Sequence, residues 1–132
     1  MVEGCPLSVH EQEWLDAGTA QFNGGRYWHA HEDWEDMWRS LKARESDQRF
    51  IRGIQGLIQT TALMFHYQKH NARGVLSMWA RLTDKMGTPD APLFEHLWSV
   101  DVPKLLREVL PFPEDASTDE PNWELEPNEI QL

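Results

Sequence analysis

The chain has 132 residues, enough for one compact domain that buries a hydrophobic core without disulfides. Apolar residues make up 40% of the chain and seven residues are Trp, which excludes a wholly disordered protein. The formal net charge of −10 disfavours nucleic acid as a partner, because the phosphates would be repelled. The single cysteine, Cys5, excludes an intrachain disulfide and suits a reducing compartment.

Targeting and membrane signals are not recognised in the sequence. The start of the chain has no basic segment followed by a long apolar run, so we expect no signal peptide. The longest aliphatic or aromatic stretch, residues 62–65, is too short to cross a membrane. We therefore expect a cytoplasmic protein without a membrane partner, acting on an unknown small molecule or protein, with homo-oligomerisation left open. An acid excess with few Lys also suits a protein that stays soluble in concentrated salt, as in a halophile.

The negative charge is concentrated at the C-terminus. Residues 113–132 contain seven acids and no Lys or Arg, which leaves 15 acids against 12 bases in residues 1–112. We expect residues 1–112 to form a helical-bundle domain and residues 113–132 to form an irregular, acidic, Pro-rich tail. This tail is either a solvated extension or a strap pinned to the domain by Trp123 or Ile130.

Helical signals follow one another along the domain. Ser8 and Glu11 have the spacing of a capping box, and the first helix that they start ends at residues 23–25. Apolar spacing predicts three more long helices, over about residues 26–43, 48–70 and 75–86. A last short helix is expected over residues 103–110. Because no run alternates as a strand does, we predict an all-α fold, an antiparallel bundle of four to five helices.

The second helix carries charge within its apolar face. On a helical wheel, His31 and Glu35 lie at the centre of an aromatic stripe, whereas Asp33, Asp36 and Ser40 fall on the opposite, solvent side. A carboxylate in an apolar stripe is destabilising unless it is paired, hydrogen-bonded or bound to a cation. Glu35 therefore needs a partner, which is either His31 or a metal ion shared by the two side chains. The aromatic members of the stripe are Tyr27, Trp28, Trp34 and Trp38.

A polar strip runs along the third helix. It lacks acids, whereas a typical exposed face is rich in both signs of charge. The strip is therefore either an ordinary solvent face or the inward wall of a polar pocket shared with the second helix. Gly53 and Gly56 favour the pocket, because small residues let helices approach closely. The strip comprises Arg52, Gln55, Gln59, His66 and His70.

Residues 31–35 begin like the helical zinc-protease signature, but Glu35 occupies the position of the second His. A His and a carboxylate four residues apart can still bind one divalent ion, to which His66 of the third helix would add a ligand. The candidate metal ligands are thus His31, Glu35 and His66, and the candidate cofactor is one divalent metal ion. Glu32 or Glu35 would act as the general base of a hydrolase.

Two interpretations of the predicted pocket remain open. In the catalytic one, Gln55 and Gln59 orient substrate or water, and Tyr27 contributes to substrate binding. In the alternative, the same His, Glu and Gln side chains form a structural hydrogen-bond network in a non-catalytic interaction or scaffold module.

Two motifs together resemble a known family over about residues 10–80, the family called domain of unknown function number 309. The resemblance implies a small all-helical protein, and members of the family have been labelled predicted metal-dependent hydrolases. The first motif is Phe22-Asn23-Gly24, Tyr27-Trp28, Ala30-His31-Glu32, Glu35 and Trp38. The second is Arg49-Phe50, Gly53, Gln55-Gly56-Leu57-Ile58-Gln59, His66 and Asn71-Ala72-Arg73-Gly74.

The resemblance also implies a shared polar set. Two positions depart from the family pattern: His29 stands where an acidic residue is usual, and Phe65 where a second histidine beside His66 is common. A site that takes a ligand from either position would be altered in this chain. Carried over by position, the shared set is His31, Glu32, Glu35, Gln55, Gln59 and His66.

Overall fold

A computed structural model describes residues 6–132 of the chain, so our inference from Cys5 lies outside the described residues. Within them the predicted all-α bundle is confirmed. The two hairpins have strands of only two residues, β1 with β2 and β3 with β4. The helices are α1 (Val9–Asn23), α2 (Tyr27–Ala43), α3 (Gln48–Gln68), α4 (Ala72–Met86), α5 (Val102–Val109) and α6 (Pro111–Ala116). The strands are β1 (Gly87–Thr88), β2 (Ala91–Pro92), β3 (His96–Leu97) and β4 (Val100–Asp101).

Each long helix packs against the next one along the chain. The connections between α1, α2, α3 and α4 have only three or four residues, so neighbouring helices run antiparallel. Helix α3 therefore lies between α2 and α4, and α6 packs on α4. None of the helices within residues 6–132 combines the length and apolar character needed to cross a bilayer.

Trp34 determines how α2 packs on α1. Its side chain is fully buried and its indole Nε1 donates a hydrogen bond to the carbonyl of Leu15, 3.3 Å away. The indole lies directly on Gly18, where a Cβ would clash with the ring. This close approach selects one face of α2 for burial. That face comprises Tyr27, Ala30, Trp34, Met37 and Leu41.

The buried face of α2 is rotated from the predicted one. His31 and Glu35, predicted at its centre, lie at its edge with side chains 20% and 34% exposed. Ser40, predicted on the solvent side, instead donates a hydrogen bond to the buried Glu11 carboxylate of α1, 2.6 Å away. The prediction was wrong because the aromatic residues of α2 cover more of the helix than one face can bury. Packing on α1 decides which of them are buried.

A buried ion pair joins α1 to α2. Glu11 is fully buried and completes the predicted capping box with Ser8. Its carboxylate also accepts hydrogen bonds from Ser40 and from Nε and Nη2 of Arg44, the last two at 2.9 Å. The hydrogen bonds from Arg44 outweigh the effect of burial and lower the pKa of Glu11 to about 2. The sequence identified Glu11 only as a capping residue.

The carboxylate of Asp115 anchors the start of the C-terminal segment. It accepts hydrogen bonds from the hydroxyl of Tyr67, 2.8 Å away, and from the backbone N–H groups of Asn122 and Trp123. The Tyr67 hydroxyl in turn accepts a hydrogen bond from the backbone of Leu125. Burial alone would raise the pKa of Asp115, but these donors lower it; burial also raises the pKa of Tyr67 to about 12.

The C-terminal segment then runs back to the far end of α1. Ile130 is buried, and Leu132 donates a backbone hydrogen bond to the side chain of Asn23, 2.8 Å away. Trp123 stacks flat on His70 at the end of α3, with ring centroids 5.0 Å apart. Trp123 and Ile130 therefore make contacts of the kind that the strap interpretation expects. The boundary that we placed after residue 112 falls inside α6.

The pKa of Glu11 predicts how stability depends on pH. The folded pKa of about 2 lies below the ordinary value of 4.5, so the ion pair stabilises the fold above pH 4.5. This contribution is lost as the pH falls from 4.5 towards 2. We expect Glu11→Gln to lower the free energy of unfolding by about 3 kcal/mol at pH 7, and by less at pH 3. Urea unfolding at both values measures this.

The matched control is Glu13→Gln, which removes an exposed carboxylate of the same helix and should change stability little at either pH. An equal loss for Glu11→Gln at pH 7 and pH 3 would contradict the assigned pKa.

Candidate functional site

The outer edge of α2 carries aromatic and charged side chains that recur every three or four residues. They share one side of the helix, and at 1.5 Å per residue they extend over about 21 Å. We call this surface the α2 stripe. It comprises Trp28, His31, Glu32, Glu35, Trp38, Arg39 and Lys42, all exposed or partly buried.

Trp28 is the exposed aromatic anchor of the α2 stripe. It is 53% exposed, yet its indole stacks on the imidazole of His31, with ring centroids 5.1 Å apart and planes 5° from parallel. Its ring also lies 5.6 Å from that of Phe65 on α3, which carries the Lys69 ammonium 5.5 Å above it. Trp28 is therefore held in one orientation while much of its surface faces solvent.

Glu35 finds its partners within α2. Its Oε1 accepts a hydrogen bond from Arg39 at 3.2 Å, and its Oε2 lies 3.7 Å from Nε2 of His31. Arg39 also pairs with Asp36 at 3.0 Å. Since the carboxylate is one-third exposed and paired with a cation, the predicted need for a partner is met. Sequence reasoning missed Arg39, although its position four residues after Glu35 was a usable signal.

Two members of the polar strip of α3 contact α4 or the connection before it. At one end, Nη2 of Arg52 donates hydrogen bonds to the backbone carbonyl and the carboxylate of Asp84, at 3.0 and 3.3 Å. At the other end, Nδ1 of His66 lies 3.2 Å from the amide nitrogen of Asn71. The His66 ring also covers Gly74 in the first turn of α4. Arg52 and His66 thus contact α4 or the connection that leads to it, whereas His70 lies beyond the end of α3 and stacks on Trp123.

The structure does not assemble the predicted set of metal ligands between α2 and α3 within the described residues. Gln55 and Gln59 lie partly buried on the strip between its ends, and the α3 ring that meets Trp28 is the apolar Phe65. Within residues 6–132, no three His, Cys, Asp or Glu side chains are grouped to hold a metal ion. His66 is therefore not brought into a ligand set with His31 and Glu35.

The small residues of α3 explain part of this difference. Gly53 lies against Leu97 of β3, and Gly56 against Met86 of α4, so a Cβ at either position would clash there. We had expected these glycines to let α3 approach α2. Instead they belong to the face of α3 that packs on α4 and the hairpins.

Tyr27 lies in the core and away from the α2 stripe. It is 2% exposed, and its hydroxyl lies 3.5 Å from Oδ1 of Asn128 in the C-terminal segment. Burial, followed by the nearby charge of Glu126, raises the pKa of Tyr27 to about 12. In this position Tyr27 cannot contact a molecule bound at the stripe, so its predicted substrate role has no support.

Three buried polar atoms along these helices have no hydrogen-bond partner among the described residues. They are Nδ1 of His31, Nε1 of Trp38 and Oε1 of Gln59. Buried polar atoms are normally paired. The alternative that we considered, a structural hydrogen-bond network, would need a partner for each of these atoms. Among the described residues that network is therefore incomplete.

The sequence was compared with known families, curated proteins and solved structures. Residues 15–78, which span most of α1, all of α2 and α3 and the first half of α4, match the family described as "Domain of unknown function (DUF309)". The comparisons with curated proteins and with solved structures found no match. The family description names no activity, so hydrolysis and metal dependence remain predictions.

Proposed function

We propose that this helical protein, whose residues 15–78 match the DUF309 family, is a non-catalytic self-association module. In this module the α2 stripe docks on the same stripe of a second copy. The observation that carries the proposal is the exposed Trp28, held flat on His31 within a stripe whose acids precede its bases.

Trp28 has the properties of an interface anchor. Trp is enriched among the few residues that supply most of the binding energy of protein interfaces. Because the stack on His31 and the contact with Phe65 already hold the ring, little side-chain entropy remains to be lost on docking. Burial of this 53% exposed side chain would remove a large apolar surface from water.

The charges of the stripe favour one orientation of two copies. Glu32 and Glu35 precede Arg39 and Lys42, so an antiparallel pair of stripes places the acidic half of each against the basic half of the other. A parallel pair would oppose like charges. Such opposed charges set the orientation of the two copies more than their affinity.

The exposed anchor predicts a concentration-dependent mass. We expect the wild-type protein to pass from 15.4 kDa to twice that mass as its concentration rises in sedimentation equilibrium. Trp28→Glu should weaken association at least about thirtyfold, because an anchor residue contributes roughly 2 kcal/mol or more. Val9→Glu is the matched control, because Val9 is 75% exposed on α1 and lies outside the stripe. This variant should show the same dependence of mass on concentration as the wild type.

A charge reversal tests the orientation in the same assay. Glu32→Lys with Glu35→Lys should weaken association, and adding Arg39→Glu with Lys42→Glu should restore it, because both halves are then reversed. Circular dichroism checks that each variant stays helical, since the reversal opposes the helix dipole. A wild-type mass of 15.4 kDa up to about 1 mM would contradict the proposal, as would equal effects of Trp28→Glu and Val9→Glu.

A metal-dependent hydrolase is the second candidate, and one distance favours it. Nε2 of His31 and Oε2 of Glu35 lie 3.7 Å apart on one side of α2. Together they offer one nitrogen and one oxygen ligand, and the exposed Glu32 beside them would act as general base. A bound divalent ion would supply activation of water. Against this candidate, Arg39 already neutralises the Glu35 carboxylate.

Thermal unfolding of untagged protein with added zinc, manganese or nickel separates the two candidates. A metal held by His31 and Glu35 would stabilise the wild type by about 2.7 kcal/mol at 100 times its dissociation constant. His31→Ala would abolish that effect, whereas His29→Ala, an exposed histidine of the same helix, would retain it. Self-association through the stripe predicts no His31-dependent shift; finding one would support the hydrolase instead.

A further inference from the structure

A cleft of about 240 Å³ lies where the start of α3, the end of α4 and the chain after β2 meet. In a chain with a net charge of −10, this lining is unusual, because its charged members are all cations. The cleft lies on the α4 side of α3, whereas the α2 stripe lies on the other side. Its lining residues are Arg49, Arg52, Lys85, Leu93 and Phe94.

Two of the cations in the cleft contact one carboxylate. Nη2 of Arg52 and Nζ of Lys85 both donate to the same oxygen of Asp84, at 3.3 and 3.4 Å. Asp84 is 67% exposed, so it stands at the edge and leaves room for a second anion beside the same two cations. The guanidinium carbon of Arg49 lies 5.0 Å from the Phe94 ring, which adds a third cation beside the apolar wall.

The remaining lining of the cleft is apolar. Leu93 is 56% exposed, although it adjoins the buried Phe94. An exposed apolar surface beside paired cations suits a ligand that has both an anionic and an apolar part. Guanidinium groups match carboxylate and phosphate oxygens with two parallel hydrogen bonds. The volume lies below the usual range of about 300–1,000 Å³ for small-molecule sites, which indicates a ligand of fragment size.

We propose that this cleft binds a small amphiphilic anion, namely a carboxylate or a phosphate monoester attached to a single ring or short aliphatic chain. Arg52 and Lys85 bind the anionic group, and Leu93 and Phe94 contact the apolar part. The proposal is independent of self-association, because the two surfaces share no residue.

Isothermal titration calorimetry with four probes tests the ligand class. Phenyl phosphate and benzoate carry both parts, benzyl alcohol lacks the charge, and inorganic phosphate lacks the ring. We expect phenyl phosphate or benzoate to bind at least about tenfold more tightly than the two incomplete probes, and more weakly as salt is added. Whichever of phenyl phosphate and benzoate binds more tightly identifies the anionic group that the cleft prefers. Equal affinity for all four probes, or no heat from any, would overturn the proposal.

Two variants with opposite effects locate the binding in the cleft. Arg52→Gln should weaken binding about threefold to tenfold, because it removes a partly exposed cation. Asp84→Asn should strengthen it, since the competing carboxylate is lost. Arg73→Gln removes an exposed cation about 18 Å along α4 from Lys85, and Asp16→Asn removes an exposed acid of α1. Changes as large in these two controls would show a general charge effect and overturn the assignment.

Discussion

The packing of Trp34 on Gly18 is the constraint on which the surfaces of this protein depend. The indole fills the space that a side chain at Gly18 would take, and its N–H donates a hydrogen bond to the carbonyl of Leu15. Because of these two contacts, α2 can present only one face to α1. That choice buries Tyr27 and places Trp28 at the edge, where it meets solvent. The chemical character of the outer side of α2 is therefore decided by a contact on its inner side.

The order and extent of the helices were predictable because their signals are local. The capping box of Ser8 and Glu11, the glycines after α1 and the apolar spacing of α2 to α4 each lie within a few residues. The choice between the tryptophans of α2 was not predictable in this way. Trp28 and Trp34 are equally apolar, and only the position of Gly18 on a neighbouring helix distinguishes them.

The arrangement of the candidate site depends on contacts between residues that are distant in the sequence. The sequence therefore identified the residues of the site more readily than it predicted how they are arranged. His31 and Glu35 are close together, as their spacing predicted. At one end of the α3 strip, Arg52 contacts α4, because its partner Asp84 lies 32 positions later in the chain. Glu11 and Arg44, separated by 33 positions, show the same limit. Periodicity states which residues share a face, but it does not state what that face meets.

The orientation in which α2 packs on α1 is tested most directly by hydrogen exchange of the Trp34 indole N–H. The NMR signal of this group is identified as the one that is lost in Trp34→Phe. Because this group is buried and bonded to Leu15, we expect it to exchange only when the whole domain unfolds, with protection matching the global free energy of unfolding. Exchange as rapid as that of a solvent-exposed indole would contradict the account. Such exchange would indicate that His31 and Glu35 lie on the buried face of α2, as the sequence predicts.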